Sequence, residues 1–379
     1  MIDRLVRLGR ILVTSAMERG AAANGPLGTV LRRCMGGKWR IPLARLSGKT
    51  FCCNALAGGN VAWAPFISSD MSVSCTCFDY DASAKIGSLK SQTFEEIYAG
   101  EIAARFRREL AARRYPTNLC HKCYGLRWVP QKKAHLYQER CSPPSNMIGF
   151  ENNVTCNLRC CNWRDVAQTR SQVRITLDDA RKVAEIIKKY EIKKVMLYNW
   201  GEPFLSPAVH EEFRILRSEN PAVHLEVSTN GLLLSSDDKR DAALLLDHVL
   251  FSIHGSSQET VAHYMQGGDF ERAYANMVDL VRYRNYRERT RPIIEWKYIV
   301  FNWNDSEEEI HRAVDLARAG GVDYLSFWST PFPPHGVSWR YFLKRYFRKV
   351  GDYIPGNPGS GDRIVVDCRP KSNCSPCRK

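Results

Sequence analysis

The residues most suited to chemistry in this sequence are three cysteines within one short stretch. Val154 to Asp165 reads V-T-C-N-L-R-C-C-N-W-R-D and contains Cys156, Cys160 and Cys161. Thiolates this close do not form a relaxed disulfide framework among themselves, but a loop can wrap them around one soft metal centre, such as zinc or iron-sulfur. Free cysteine is also among the most buried residue types, so inert core thiols are the alternative. The stretch alone does not decide between these two interpretations.

Most of the other cysteines also fall in clusters. The chain has 14 cysteines in 379 residues, which is too dilute for a disulfide scaffold. Clustering favours metal sites in a reducing compartment, and residues 1–20 carry scattered arginines without the apolar block of a signal peptide. We therefore expect a cytoplasmic protein. The further clusters are Cys52/Cys53, Cys75/Cys77, Cys120/Cys123 and Cys374/Cys377.

Length and composition indicate a globular protein of about two domains. The apolar share of 44% and the charged share of 25% are ordinary for that class. No apolar run approaches the roughly 20 residues of a membrane-spanning helix. The net charge is +15, and residues 1–50 form a basic segment that includes one short amphipathic pattern. That pattern allows weak membrane-surface contact or an acidic partner, although such segments more often dock on their own protein.

Residues 51–127 form the first region in which predicted helices and clustered cysteines indicate a small domain. Helices are predicted over Thr93–Tyr98 and over residues 101–114, and Cys120-His-Lys-Cys123 closes the region. A Cys-x-x-Cys pair with cysteines far upstream lets distant parts of the chain converge on one metal, which would stabilise a small domain with little core. Zinc would satisfy the same ligands. Residues 128–146, with Pro130 and two further prolines among charged residues, are predicted to be a linker.

Residues 147–333 alternate strand and helix patterns. Amphipathic helices such as Leu177–Tyr190 separate the strands, and six such units favour a parallel α/β sheet, open or barrel-like. In such barrels the chemistry lies at the carboxyl ends of the strands. Residues 334–379 form a tail that contains Cys368, Cys374 and Cys377 and that could cap the barrel or bind a metal. The predicted strands are Ile148–Thr155, Lys194–Asn199, His224–Thr229, His248–Ile253, Ile293–Phe301 and Tyr324–Trp328.

Polar motifs follow successive predicted strands. Asn199-Trp-Gly-Glu-Pro203 follows the second strand, where Gly201 permits close backbone approach to a ligand and Glu202 can accept from an ammonium group. Glu202 could equally be a solvated acid at a helix start. Ser228-Thr-Asn230-Gly follows the third strand and suits a ribose, although Asn-Gly is also ordinary turn chemistry. Two further candidates, each with a structural alternative, are His254 after strand four and Lys297 within strand five.

The order and spacing of these motifs resemble the radical SAM superfamily over residues 147–330. The resemblance implies a partial six-stranded (β/α) TIM-like barrel in which Cys156, Cys160 and Cys161 are catalytic and hold a 4Fe-4S cluster. S-adenosylmethionine would bind the open iron, and its reductive cleavage would give a 5′-deoxyadenosyl radical that abstracts hydrogen from substrate. Gly201 and Glu202 would then meet the methionyl amine, and Ser228 and Asn230 the ribose or carboxylate. His254 and Lys297 complete the set of candidate cofactor-binding residues.

The region from Phe51 to Arg127 resembles the SPASM or twitch auxiliary iron-sulfur domain of the same enzymes. The likeness consists of an early cysteine, a hairpin ending at Cys75, a glycine before a helix, and the Cys-x-x-Cys pair. It implies a second 4Fe-4S cluster, with Cys52 or Cys77 as possible substitute ligands. In that family the domain usually follows the barrel, whereas here it precedes it. The implied ligands of this auxiliary cluster are Cys53, Cys75, Cys120 and Cys123.

One position departs from the superfamily pattern. The usual spacing is Cys-x-x-x-Cys-x-x-Cys, but Trp163 stands at the third position and Cys161 is the nearest thiol. Cys161 serves as third ligand in a shortened loop, or another residue completes the site, or the cluster is lost. We expect the cluster to be retained, because the motifs facing S-adenosylmethionine are intact.

The implied function is modification of a peptide, protein or sugar-derived substrate, with electrons from a donor such as flavodoxin or ferredoxin. A non-catalytic descendant that binds metal and a partner is the first alternative, and Trp163 favours it. A zinc-stapled basic nucleic-acid-binding protein is the second. The sequence contains neither a zinc finger with correctly spaced histidines nor an evident recognition helix. Nucleic acid is therefore not an expected partner.

Overall fold

The computed structural model describes residues 40–57, 64–77, 79–120, 123, 125–138, 143–160, 173–330, 334–343, 347–354 and 363–369. Several predictions fall elsewhere: the amphipathic pattern within residues 1–39, Cys161, Trp163, Cys374 and Cys377 lie outside the described residues. Among the described helices, none combines the length and the apolar character needed to cross a membrane.

Strands and helices alternate through most of the described chain. The strands are β1 (Lys49–Cys53), β2 (Phe66–Ile67), β3 (Ser72–Ser74), β4 (Lys85–Ser88), β5 (Leu126–Pro130), β6 (Met147–Phe150), β7 (Arg159–Cys160), β8 (Lys194–Met196), β9 (His224–Thr229), β10 (His248–Ser252), β11 (Met265–Gln266), β12 (Ile293–Val300), β13 (Tyr324–Ser329), β14 (Asp352–Ile354) and β15 (Arg363–Asp367). The α-helices are α1 (Arg40–Ser47), α2 (Asn54–Ala57), α3 (Phe94–Ala99), α4 (Glu101–Ala111), α5 (Ala134–Gln138), α6 (Leu177–Lys189), α7 (Val209–Glu219), α8 (Asp237–Leu244), α9 (Gln258–Tyr264), α10 (Phe270–Tyr286), α11 (Glu307–Ala319), α12 (Trp339–Leu343) and α13 (Phe347–Val350). Short 3₁₀ helices cover Gln131–Lys133, Pro203–Leu205 and Pro334–Gly336.

The six predicted strands pair in parallel and in order, as β6, β8, β9, β10, β12 and β13. They form the centre of an 11-stranded sheet with the order β14-β15-β13-β12-β10-β9-β8-β6-β2-β3-β4. The predicted α/β fold with a partial parallel barrel is confirmed. The first strand ends at Phe150, earlier than the predicted Thr155. The residues that follow β6 instead form hydrogen bonds with the loop after β8.

The first barrel helix has the apolar periodicity that the sequence predicts. Helix α6 buries Ala180, Val183 and Ile187, which recur at helical spacing and pack against the sheet. A capping box starts the helix, because the Thr176 side chain accepts from the Asp179 N–H while the Asp179 carboxylate accepts from the Thr176 N–H. The helix ends one residue before the predicted boundary.

The amino-terminal region is joined to the barrel through the sheet itself. Strand β2 pairs in parallel with β6, and β3 and β4 continue the sheet outward. Gly149 of β6 is required there, since a Cβ at this position would lie 2.2 Å from the Phe66 ring. Ion pairs join the same region to helix α6, with Lys90 Nζ 2.6 Å from an Asp179 carboxylate oxygen. The two regions therefore share one continuous backbone framework.

The predicted linker and the predicted tail both contain regular structure. Strand β5 pairs antiparallel with β1, and Trp128 packs on Phe51 at a ring-centroid distance of 5.3 Å. Proline and charge at residues 128–133 hide this strand in the sequence pattern. In the tail, β15 pairs antiparallel with β13, and β14 extends the same edge.

Candidate functional site

Two of the three motif cysteines lie at the carboxyl end of β6. Cys156 is half-buried, and its Sγ accepts from the Leu158 N–H at 3.4 Å, with Asn230 Nδ2 3.9 Å away. Burial raises the pKa of the Cys156 thiol to about 11. Cys160, also half-buried, belongs to β7 and pairs with Met265 of β11. Amide donors directed at a cysteine sulfur stabilise a thiolate. Such a thiolate forms when a metal binds the sulfur and displaces the proton of the thiol.

Gly201 lets the loop after β8 pack directly on the chain that leads to Cys156. A Cβ at Gly201 would lie 2.0 Å from the Asn153 carbonyl oxygen. The next residue, Glu202, donates its N–H to the Thr155 carbonyl oxygen at 2.8 Å. The group that approaches Gly201 closely in this structure is protein backbone, and the predicted approach to a ligand stays a prediction.

Glu202 is buried and joins the ends of β8 and β9. It starts the 3₁₀ helix Pro203–Leu205 as its N-cap, but it is 3% exposed and therefore not solvated. One carboxylate oxygen accepts from Thr229 Oγ1 at 2.8 Å and from the Phe204 N–H at 3.2 Å, and the other accepts from the Asn230 N–H at 2.8 Å. Burial raises the pKa of Glu202 and outweighs these hydrogen bonds, which favour the ionised form. Its predicted contact with a methionyl amine stays a prediction.

Asn230 connects the turn after β9 to the cysteine loop. Its Nδ2 donates to Asn157 Oδ1 at 2.8 Å, and its own Oδ1 accepts from the Leu232 N–H at 3.0 Å. Ser228, two residues earlier, is half-buried, and its Oγ lies 2.9 Å from Ser252 Oγ on β10. The structure therefore brings Ser228 and Asn230 to the same end of the barrel as Cys156.

His254 and Lys297 occupy different environments. Burial lowers the pKa of His254 to about 3, so its ring is neutral, and Nδ1 accepts from the Ile299 N–H at 3.2 Å. This contact holds the end of β10 against β12. Lys297 is half-buried, with Nζ 5.0 Å from the centroid of the Trp328 ring, and burial lowers its pKa. A cation over an indole face is a stabilising arrangement.

A charged network that the sequence analysis missed links β8, β9, β10 and β12. His248 of β10 lies between two buried carboxylates, with Nδ1 3.2 Å from Glu226 and Nε2 3.0 Å from Glu295. Lys194 Nζ is 2.8 Å from Glu226, and Tyr198 donates its hydroxyl to the same carboxylate at 3.0 Å. A signal was present in β9, where polar residues recur at every second position as His224, Glu226 and Ser228.

This network is a set of ion pairs. Ligand atoms of His224, Glu226 and His248 lie within 4.8 Å of one another, which is a spacing that a metal ion can use. Burial lowers the pKa of His248, but the carboxylates of Glu226 and Glu295 on either side of the ring outweigh burial and raise it to about 9. In its protonated form the His248 imidazole pairs with both carboxylates.

The four predicted auxiliary cysteines line one small cavity. Cys53 arrives from the end of β1, Cys75 from the end of β3, and Cys120 and Cys123 from the segment after α4. The Gly125 N–H donates to Cys123 Sγ at 3.3 Å. Four thiols that converge with an amide donor turned toward sulfur fit the ligand set of a 4Fe-4S cluster. The possible substitutes, Cys52 and Cys77, are absent from the described lining of this cavity.

A buried arginine side chain, that of Arg107, lies near the same cavity. Arg107 of α4 is 5% exposed and donates to the Leu56 and Tyr98 carbonyl oxygens, at 2.8 Å each. It is close enough to Cys53 to favour the thiolate form of that residue. The sequence analysis did not find Arg107, because an arginine within an amphipathic helix has no distinctive signal.

Cys368 lies at the other end of the barrel. It directly follows β15, and its N–H donates to the Asp323 carbonyl oxygen at 3.0 Å, beside the start of β13. Since Cys156 follows the carboxyl end of β6, Cys368 and Cys156 lie at opposite ends of the parallel strands.

Comparisons with solved structures give low similarity to radical SAM enzymes. The structure titled "Crystal structure of HydG: A maturase of the [FeFe]-hydrogenase" has a TM-score of 0.40 and 12% identity, over 71% of this chain and 60% of that one. "Structure of TYW1 with a lysine-pyruvate adduct bound" has a TM-score of 0.39 and 15% identity, over 59% and 78%. "Crystal structure of BtrN in complex with AdoMet and 2-DOIA" has a TM-score of 0.27 and 17% identity, over 34% and 54%. No curated protein matches the sequence.

Family comparisons match most of the two regions described above. Residues 154–346 match the Radical SAM superfamily, and residues 63–124 match SPASM, the iron-sulfur cluster-binding domain. The cofactors are accordingly S-adenosylmethionine and a 4Fe-4S cluster, with an auxiliary iron-sulfur cluster in the SPASM domain. The chain belongs to the radical SAM superfamily and carries its SPASM domain amino-terminal to the radical SAM domain.

Proposed function

We propose that this protein is an enzyme that reductively cleaves S-adenosylmethionine and abstracts hydrogen from a peptide, protein or sugar-derived substrate. The bound cofactors supply the one-electron chemistry and the 5′-deoxyadenosyl radical. The observation that carries the proposal is the connection between the cysteine loop and the neighbouring strand ends. Asn230 reaches Asn157 beside Cys156, and Glu202 holds the Asn230 backbone.

The cluster ligands in this proposal are Cys156, Cys160 and Cys161. Cys161 belongs to the proposal through the sequence alone, since it lies outside the described residues. The Leu158 N–H and the Asn230 amide stabilise negative charge on Cys156 sulfur. The fixed positions of these donors would hold the cysteine loop in place before the cofactor arrives.

S-adenosylmethionine would lie across the ends of β8, β9 and β10. The half-buried hydroxyls of Ser228 and Ser252 are available to a ribose or carboxylate there. Lys297 pairs with Ser252 in the sheet register and offers an ammonium group for an anionic part of cofactor or substrate. Gly201 and Glu202 would contribute to the methionyl amine site through the loop that they fix. His254 acts as a positioning residue, because its ring nitrogen is bonded to β12.

The partners and location follow the same proposal. A low-potential electron donor such as flavodoxin or ferredoxin would reduce the cluster, and we place the protein in the cytoplasm. The net charge of +15 favours an acidic peptide or a phosphorylated or nucleotide-linked sugar as substrate.

Trp163 favours a second candidate function. It stands where the superfamily usually has its third cysteine. If Cys161 does not replace that ligand, the protein retains the barrel and the auxiliary cluster as a binding protein without radical chemistry. The two candidates differ in whether S-adenosylmethionine is cleaved.

Anaerobic reconstitution tests the choice. We would measure iron and sulfide per chain and the dithionite-driven formation of 5′-deoxyadenosine, in wild type and in Cys161→Ala. Cys368→Ala is the matched control, because Cys368 lies at the opposite end of the barrel. The proposal expects cleavage by wild type and by Cys368→Ala, and loss of both cleavage and cluster iron in Cys161→Ala. Wild type that holds only the auxiliary cluster and forms no 5′-deoxyadenosine would establish the second candidate.

A further inference from the structure

A second cavity, of about 580 Å³, lies at the amino ends of the barrel strands. It is bounded by α7, by the segment between α8 and β10, and by the turn that leads into β12. Since Cys156 follows the carboxyl end of β6, this cavity is on the face of the barrel opposite the cysteine loop. Its charged lining consists of Arg217, Arg287, Arg289, Arg291, Asp241 and Asp247.

One arginine of this lining makes structural contacts within the fold. Arg217 donates to Asp247 at 2.6 Å and to the carbonyl oxygens of Leu245 at 2.9 Å and Val223 at 2.8 Å. Asp247 in turn accepts from the Leu225 N–H at 2.8 Å. These contacts fasten α7 to the start of β9 and β10, so Arg217 and Asp247 form the floor of the cavity.

The other three arginines come from a single five-residue turn. Arg291 shares Asp247 with Arg217, at 2.7 Å, and its side chain is 58% exposed. Arg287 lies 3.3 Å from Asp241 and is 48% exposed. The exposed Arg289 side chain has no ion pair with any described residue. Four arginines against two aspartates leave a surplus of two positive charges around one cavity.

We propose that this cavity binds the phosphate or diphosphate group of a small phosphate ester of about nucleotide size. Guanidinium groups offer paired donors that match phosphate oxygens, and Arg289 and Arg291 keep donors available for that purpose. The volume lies within the range of small-molecule sites. Pro221, Leu244 and Leu245 line the same cavity and provide an apolar wall for the organic part of the ligand.

Direct binding to the whole 379-residue chain tests this site. Titration calorimetry would use inorganic pyrophosphate and ADP as probes, with wild type, Arg289→Ala and Arg289→Lys. Arg272→Ala is the matched control, because Arg272 is an exposed arginine on α10 that does not line the cavity. We expect both probes to bind wild type. Arg289→Ala should bind roughly tenfold more weakly, as expected for loss of one charge-assisted hydrogen bond, and Arg289→Lys should fall between the two.

The outcomes separate a built site from general surface charge. Tighter binding of ADP than of pyrophosphate would show that the organic part of the ligand is recognised, and equal binding would show that the anion alone is recognised. Failure of wild type to bind either probe would overturn the proposal. Equal weakening by Arg289→Ala and Arg272→Ala would also overturn it. The readout does not depend on either cluster, so it is independent of S-adenosylmethionine cleavage.

Discussion

Glu202 accepts a hydrogen bond from the backbone N–H of Asn230 at 2.8 Å, and this contact fixes the end of β9 to the end of β8. The same carboxylate also holds Thr229 and the Phe204 N–H. A single buried acid therefore determines the relative position of two motifs that are 28 residues apart in the chain. The positions of the motif residues depend on this buried polar centre as much as on the strands.

Replacing Glu202 with Ala should destabilise the protein. The substitution leaves the Asn230 and Phe204 N–H groups buried without their acceptor, which should cost about 2 to 4 kcal/mol of unfolding free energy. Urea unfolding followed by circular dichroism measures this change. Glu219→Ala, at an exposed position at the end of α7, is the control and should stay within about 0.5 kcal/mol of wild type. If Glu202→Ala matched that control, the hydrogen bonds around Glu202 would not stabilise the fold.

Gly201→Ala should disrupt the cysteine loop. The new Cβ would lie 2.0 Å from the Asn153 carbonyl oxygen, so the backbone after β8 must move away from the segment that leads to Cys156. We expect a lower unfolding free energy and weaker retention of the cluster that we propose at Cys156 and Cys160. Iron content after anaerobic desalting measures the retention. Asn199→Ala in the same loop is the control, and an unchanged iron content in Gly201→Ala would contradict the prediction.

His248 should make stability depend on pH at alkaline values. Its pKa of about 9 in the folded protein lies above the ordinary value of 6.5, because Glu226 and Glu295 favour the imidazolium despite burial. The stabilisation is therefore fully present below about pH 6.5 and is lost as the pH rises through about 9. From the size of the shift it amounts to roughly 3 kcal/mol.

Unfolding free energies between pH 6 and pH 10 test the role of His248. Wild type should lose stability across this range, whereas His248→Gln should be less stable at pH 6 and show a flatter profile. His210→Gln changes a more exposed histidine that lies 3.6 Å from Asp238, so its profile should follow wild type. A wild-type profile as flat as that of His248→Gln would show that His248 carries no excess proton.

Much of the fold could be predicted, because the strands of a parallel sheet read as short apolar runs and the helices between them have a periodic apolar face. Strand β9 has the predicted bounds, His224–Thr229, and the other five barrel strands differ from prediction only at their ends. Strand β5 was not predicted, because Pro130 and its charged neighbours resemble a linker. Its partner β1 is also remote in sequence. Pairing over such a distance leaves no local pattern.

The candidate site was predictable as residue types but not as contacts. Cys53, Cys75, Cys120 and Cys123 converge as the family resemblance implies. The hydrogen bonds from Thr229 and Asn230 to Glu202 could not be read from the sequence, because their donors lie 27 and 28 residues further along the chain. The same is true of His248, whose two partners belong to neighbouring strands. Local spacing identifies a motif, but only the packing of strands shows which atoms already have partners.

Cys52 and Cys123 provide a direct test of the auxiliary cluster. Cys123 lines the cavity with the other three thiols and is 8% exposed, whereas Cys52 is 5% exposed and is not part of the described lining. Cys123→Ala should therefore lose about four iron atoms per chain, the content of one 4Fe-4S cluster. Cys52→Ala should keep that iron, although both substitutions remove a buried thiol. Iron and sulfide analysis with electron paramagnetic resonance of the reduced protein measures the difference. Because both residues are buried, equal loss of iron would point to a general folding defect and would remove the evidence that this cavity selects its ligands.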